Sequence, residues 1–192
     1  LSAFYFDIRK DTLYCDDKLS NKRIACISLL EIILDMLLKW FAPMLCFTTE
    51  EIYQIINKDK NSSIHLQDFP KIPKEWENFK LHQRWEKLKI IRKVVNTAME
   101  TKRASKDIGS SLEADIKLYL NDDYIQLVKD IDLSEYFITS KAEVQKMTQD
   151  KNLFMLDGIE NIKVLVKKAE GEKCNRCWKI FPHPCVRCNS KK

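Results

Sequence analysis

Four cysteines stand at Cys174, Cys177, Cys185 and Cys188, as two Cys-x2-Cys pairs with seven residues between them. Each pair can turn two sulfurs toward one point, and thiolates about 2.3 Å from a shared ion describe a zinc site. Four protein ligands leave no open position, so the chemistry expected is structural: one Zn2+ that organises the chain and takes no part in a reaction. Extended, the seven-residue connector spans ~20 Å, more than bringing the pairs together requires. Redox disulfides or idle thiols compete with this reading. A thioredoxin-type pair needs its own βαβ setting, and tandem pairs fit that poorly. His183, lying between the pairs, is an alternative ligand.

Arg176, Trp178, Lys179 and Arg187 surround these cysteines. Cations beside an aromatic suit single-stranded nucleic acid, where an unpaired base stacks and Arg or Lys meets phosphate. The alternative for Trp178 is packing over the knuckle as the core of a very small module. Charge points the same way. The net charge is +5, yet from Lys167 onward eight Lys or Arg face two Glu, and the remaining residues are nearly balanced. That favours a polyanionic partner for this end, even after four thiolates and one zinc reduce its excess to about +4. Cys15, Cys26 and Cys46 are scattered and read as small hydrophobes in a reducing, cytoplasmic setting. His65 and His82 read as structural or surface residues. No Ser-His-Asp or paired-carboxylate arrangement emerges, so no catalytic residue is assigned.

Positioning such a tail requires a scaffold, and the stretch from Lys22 to Met44 supplies its most apolar element. As a helix it carries one thin polar stripe, Ser28, Glu31, Asp35 and Lys39, on an otherwise hydrophobic cylinder. Such a helix is expected to have neighbours on at least two sides. Charges at one-turn intervals argue against a membrane span, and Leu1 opens without a basic or apolar leader. Upstream, Leu1 to Arg9 reads as the end of a helix, broken over Lys10 to Asp17. Ser20 is a plausible N-cap and Pro43 a stop. Thr48 with Glu51 forms a capping box for a short helix, Thr49 to Ile56.

Pro70 and Pro73 mark an extended connector. A second long helix is expected over Trp85 to Ser105, with Leu88, Ile91, Val95, Ala98 and Met99 inward. Its basic residues form a solvated face or a phosphate-facing one. Gly109 would end that helix in the left-handed conformation or shape the loop beyond. Ile116, Leu118 and Leu120 alternate as a strand, and Asp122 or Asp123 could cap a short helix. Tyr136 to Ser140 and Ile162 to Val166 are β-rich, and Asp157-Gly158 marks a turn. The fold expected is mainly α: a helical bundle, a small α/β subdomain and a C-terminal zinc knuckle module with four cysteine ligands. The corresponding segments are 1–70, a linker over 71–84, 85–168 and 169–192.

Several separated blocks resemble bacterial isoleucyl-tRNA synthetases. Leu1 to Asp16 is similar to the beginning of their anticodon-binding domain. Leu38 to Ile56, with Ala42-Pro43 and Phe47-Thr48-Thr49-Glu50-Glu51-Ile52, resembles a class I synthetase pattern. Ser63 to Leu66 with Phe69-Pro70, then Lys102 to Ala114 and Gly171 to Trp178, complete the set. Cys46 and Tyr53 depart from the Pro and Trp usual there, and the connector between the cysteine pairs is shorter than the family's. Signatures of His-Ile-Gly-His and Lys-Met-Ser-Lys-Ser type are absent.

The resemblance implies a C-terminal fragment without the active site, an arm binding the anticodon stem-loop of tRNA(Ile). The intact enzyme would charge that tRNA with isoleucine, using ATP and Mg2+ only in the missing catalytic domain. It further implies a cytoplasmic monomer with no membrane partner. The competing readings are a freestanding zinc-containing nucleic-acid-binding protein, the equivalent arm of another class I synthetase, and a structural zinc module for protein contacts. DNA glycosylases of the formamidopyrimidine type carry a similar finger, but their catalytic segment has no recognisable counterpart here.

Overall fold

The computed structural model describes residues 2–57, 59, 61–148, 150 and 152–189. In chain order the helices are α1 (Asp7–Cys15), preceded by a π-helical turn over Ser2–Phe6, α2 (Asn21–Phe41), α3 (Cys46–Ile56), α4 (Phe79–Ala104), α5 (Asp122–Val128), α6 (Leu133–Tyr136) and α7 (Val186–Asn189). The strands are β1 (Ala114–Leu120), β2 (Lys141–Lys146), β3 (Phe154–Leu156), β4 (Ile159–Lys168), β5 (Glu172–Lys173) and β6 (Ile180–Phe181). This is the mainly helical chain with a small sheet and a terminal cysteine cluster that the sequence predicts. No helix among the described residues is long and apolar enough to cross a membrane. Two compact units divide the chain: Asp17–Asn78, and the residues up to Asp16 together with those from Phe79 onward.

The larger unit is built on the alternation read from β1. Ala114, Ile116, Leu118 and Leu120 are buried while the residues between them are only partly covered. The sheet order is β2-β1-β4-β3, with β1 and β2 parallel and the other pairings antiparallel. Ile162, Val164 and Val166 of β4 complete the apolar face, on which α4 lays Leu88, Ile91, Val94, Val95, Ala98 and Met99. Each such Leu, Ile, Val or Met side chain removed from water contributes about 1.5–3 kcal/mol. Phe4 joins this core, edge-on to Trp85 and Tyr136 with ring centroids 6.2 Å from each. Those contacts, with Ile8, are why the first residues belong to this unit and not to the helical one that the sequence segments assign them to.

Several local expectations change. Lys10 to Asp17 is no break, since α1 runs through Lys10 to Cys15 and ends at Asp16. Arg92 points inward from the basic α4, buried beside the rings of Phe4 and Tyr136 and donating to the Tyr136 carbonyl. Lys106, not Gly109, takes the left-handed conformation after α4 (φ 61), while the Gly109 amide donates to Glu113 at 3.0 Å and shapes the loop. Asn121 caps α5, its Oδ1 accepting from the Tyr124 amide at 3.1 Å, so Asp122 and Asp123 fall in the first turn. Tyr136 to Ser140 forms the end of α6 and a turn; the strand begins at Lys141.

In the smaller unit, α2 packs on α3 and on a 3-10 turn over Ile64–Leu66, with Leu38, Ala42, Ile64, Ile52 and Tyr53 as its core. The expected polar stripe is real, and Lys39 pairs with Asp35 at 2.8 Å along it. The expected two-sided packing is not met within this unit: Leu29, Ile32, Leu34, Trp40 and Phe41 stay exposed. Thr48 does not cap α3, because the helix starts earlier, at Cys46. Glu50 instead ties down the connector, its Oε2 accepting from Ser63 Oγ at 2.8 Å and the Ile64 amide at 2.9 Å.

Candidate metal centre and nucleic-acid surface

Two short backbone devices place the four sulfurs. In the first, β5 and β6 form a two-residue hairpin, and the Cys174 amide donates to the Lys179 carbonyl at 2.9 Å while the Trp178 amide returns to Cys174 O at 2.9 Å. Gly171 permits its close approach, since a Cβ there would lie 2.0 Å from the Phe181 carbonyl oxygen. In the second, the amides of Cys188 and Asn189 both donate to the Cys185 carbonyl as α7 begins. Cys174, Cys177, Cys185 and Cys188 thereby bring their sulfurs within 4.8 Å of one another, with Cys177 and Cys185 at 3.9 Å. A tetrahedral site with Zn–S distances of about 2.3 Å separates its sulfurs by ~3.8 Å, so the donor set fits a zinc-sized ion.

Burial agrees with that fit. Cys177, Cys185 and Cys188 are buried and Cys174 is half-buried, while His183 is exposed and outside the cluster. Burial pushes the Cys188 thiol up to about 12 and raises that of Cys177, whereas the Cys177 backbone N–H lowers Cys174 to about 7. Four thiolates gathered at one point call for a cation to offset their charge.

The basic and aromatic residues around the cluster divide in two. Arg187 makes a bidentate pair with Asp11, at 2.7 and 2.8 Å, and reaches Asp16 at 3.2 Å. Lys179 is buried, 3.9 Å from the same Asp11 carboxylate and 3.4 Å from Ser134 Oγ. Burial pushes the Asp11 carboxyl up, but the hydrogen bonds and charge of Arg187, with Lys179, outweigh it and hold the group below the usual carboxylate range. Asp11 in turn raises the Arg187 guanidinium. These two cations fasten the cysteine module to α1.

Arg176 and Trp178 face outward. Arg176 is exposed and donates to the Tyr14 carbonyl at 3.1 Å. Trp178 is 60% exposed and sits at φ 63, a left-handed conformation that costs a non-glycine residue about 1–2 kcal/mol. It does not pack over the knuckle as a core.

Sequence reasoning missed the seat of this module. Cys15 is buried against Cys177, Cys185 and Cys188, its thiol 3.8 Å from the Arg176 carbonyl. Glu135 accepts from Arg9 at 2.9 Å and Thr12 at 2.8 Å, bracing α1 against α6. Ser140 Oγ accepts from the Ile180 amide at 2.6 Å and donates to the Leu112 carbonyl. The available signal was Asp11 and Cys15, one turn apart on a single helix face.

A model of the anticodon-binding domain of tRNA ligase matches residues 1–118. That stretch includes Asp11, Tyr14 and Cys15 but stops short of the cysteine pairs. The isoleucine–tRNA ligase of Pelagibacter ubique is 49% identical over 187 residues, covering 97% of this chain and 19% of its own length. Those of Bradyrhizobium diazoefficiens and Agrobacterium fabrum are 44% and 45% identical over 181 residues, each covering 94% of this chain and 18% and 19% of their own lengths. The chain therefore spans less than a fifth of the curated relatives it matches.

Proposed function

This chain belongs to the family of anticodon-binding domains of tRNA ligases, and from that premise we propose that it is the arm by which an isoleucine–tRNA ligase holds the anticodon stem-loop of tRNA(Ile). The relatives' shared name supports the amino acid, and their greater length supports a catalytic region elsewhere that charges the tRNA using ATP and Mg2+. The arm works in the cytoplasm, where it gathers binding energy far from the chemistry and uses it for positioning. The four-cysteine cluster holds one structural Zn2+. Arg176 and Trp178 meet the RNA, while Lys179 and Arg187 hold the module from beneath.

The observation that carries this reading is the exposed Trp178 and Arg176 on a knuckle fixed by four converging sulfurs, in a chain of this family. Binding of the zinc-loaded 192-residue chain to an isolated anticodon stem-loop, compared with a DNA duplex of equal charge, tests it. The expected result is a preference for the stem-loop that falls steeply with salt. Equal affinity for the duplex would instead favour a general zinc-containing nucleic-acid-binding protein, and no affinity for either a protein-contact module. Zinc is checked separately by elemental analysis, with one equivalent expected, lost when Cys185→Ala and Cys188→Ala are combined.

A further inference from the structure

Five of the seven cysteines lie in the larger unit, and all five meet in one cluster. Four of them form the two Cys-x2-Cys pairs. The fifth, Cys15, comes from the last turn of α1, is 4% exposed, and packs with the enclosed Cys177, Cys185 and Cys188.

A buried cysteine is ordinarily a small hydrophobe. This one is fixed with respect to both knuckles. Arg176 of the first donates to the Tyr14 carbonyl at 3.1 Å, and Arg187 of the second reaches Asp16 at 3.2 Å. The residues on either side of Cys15 are thus each tied to one knuckle. Between them the Cys15 sulfur rests 3.8 Å from the carbonyl of Arg176, the residue before the ligand Cys177. Its other polar partner is the Asp11 carboxylate, which Arg187 already holds through both oxygens. The thiol is therefore enclosed beside the donor set and weakly engaged.

The four sulfurs of the pairs are not equivalent. Cys174 is half-buried, whereas its three partners are enclosed together with Cys15. Without the Cys174 sulfur a zinc ion would keep three thiolates and one open position, the arrangement that admits water. With tetrahedral bonds of about 2.3 Å, zinc lies only ~0.8 Å from the plane of any three sulfurs. A small shift through that plane exchanges an outer ligand for an inner one.

We propose that Cys15 is a reserve ligand of the metal site, a fifth thiol that takes the place of Cys174 when that sulfur is lost. The thiol proton passes to solvent as the Zn–S bond forms, so four thiolates again surround one Zn2+. One spare sulfur cannot replace two, so removing two ligands together still empties the site. The inference rests on the structural-zinc reading above and gives α1 a part in retaining the metal.

Cobalt(II) loaded into the full chain tests it, because the intensity of thiolate-to-cobalt charge transfer counts the sulfurs bound. Cys15→Ala alone should keep the four-sulfur intensity. Cys174→Ala should keep it too, with one metal equivalent. Combining the two should lower it to the three-sulfur level. The pair should also bind zinc more weakly than Cys174→Ala alone, by more than the roughly 10- to 100-fold that a residue merely supporting a ligand commands. A three-sulfur spectrum in Cys174→Ala that Cys15→Ala leaves unchanged would overturn the proposal, as would complete loss of metal from Cys174→Ala. A weaker spectrum in Cys15→Ala alone would make Cys15 a resident ligand and overturn the reserve role. A lower thermal midpoint in Cys15→Ala, with no dependence of the sulfur count on Cys15 in either background, would mark packing alone and overturn it as well. If the unaltered chain takes up neither cobalt nor zinc, the metal reading itself falls and this one with it.

Discussion

Two parts of the larger unit are stabilised in opposite ways. The sheet and α4 share a continuous apolar core, with Ile91, Val94, Val95, Ile116, Leu118 and Val164 wholly removed from water. The cysteine module has two-residue strands, a four-residue helix and little buried apolar surface beyond its thiols and Phe181. It is held by sulfurs converging on one point and by cations seated on α1. A core can stand on its own area, whereas some twenty residues cannot bury enough of it and need a metal or ionic pins. The outward face of the module is thereby left free for binding.

The comparison breaks first, and most widely, at the ligands. Cys177→Ser with Cys185→Ser should abolish zinc binding, worth on the order of 10 kcal/mol in small structural sites, and disorder the tail. Hydrogen exchange should show the amides of Trp178 and Asn189 losing protection while those of β1 keep it. Next comes the core: Ile91→Ala should cost about 2–5 kcal/mol in urea unfolding, with zinc content unchanged below the transition. Smaller again is Asp11→Asn, which takes the bidentate carboxylate from the half-buried Arg187 while Asp16 stays at 3.2 Å. A loss of about 1–3 kcal/mol should appear mainly as faster zinc release to a chelator. It should also weaken RNA binding, although a negative charge has been removed; tighter binding would show that the seat does not position the module.

The smallest effect lies in the other unit. Hydrogen bonds from Gln54, then Ser63, hold the Glu50 carboxyl below its ordinary value near 4.5. Its tie to the connector is therefore complete above that value and lost as pH falls through the lower one. The Ile64 amide should lose exchange protection only in that acid range, and Glu50→Gln should remove the dependence.

Much of this was legible in sequence because the signals were local. The Leu88, Ile91, Val95 spacing marked the inner face of α4, Ile116 to Leu120 marked β1, and the paired cysteines marked their cluster. What escaped depended on distant partners. β2, Lys-Ala-Glu-Val-Gln-Lys, has little hydrophobic alternation and exists because its backbone pairs with β1 from Asp115↔Lys141 to Leu120↔Lys146. The role of α1 is invisible without Glu135, Lys179 and Arg187, which lie far along the chain. The long apolar helix α2 was expected to have neighbours on at least two sides; composition measures what a surface can bury, not what its own unit places against it.

The Asp11–Arg187 pair has a temporal consequence. Its members are separated by 176 residues. At synthesis rates of about 5–20 residues per second, Asp11 is made some nine to thirty-five seconds before its partner. Through that interval the acidic face of α1 and the thiol of Cys15 wait uncovered while the sheet assembles between them. Only a chain translated through its second cysteine pair can close the seat, so the surface that faces outward at Trp178 matures after the sheet that precedes it. A nascent or truncated product would present α1 without it.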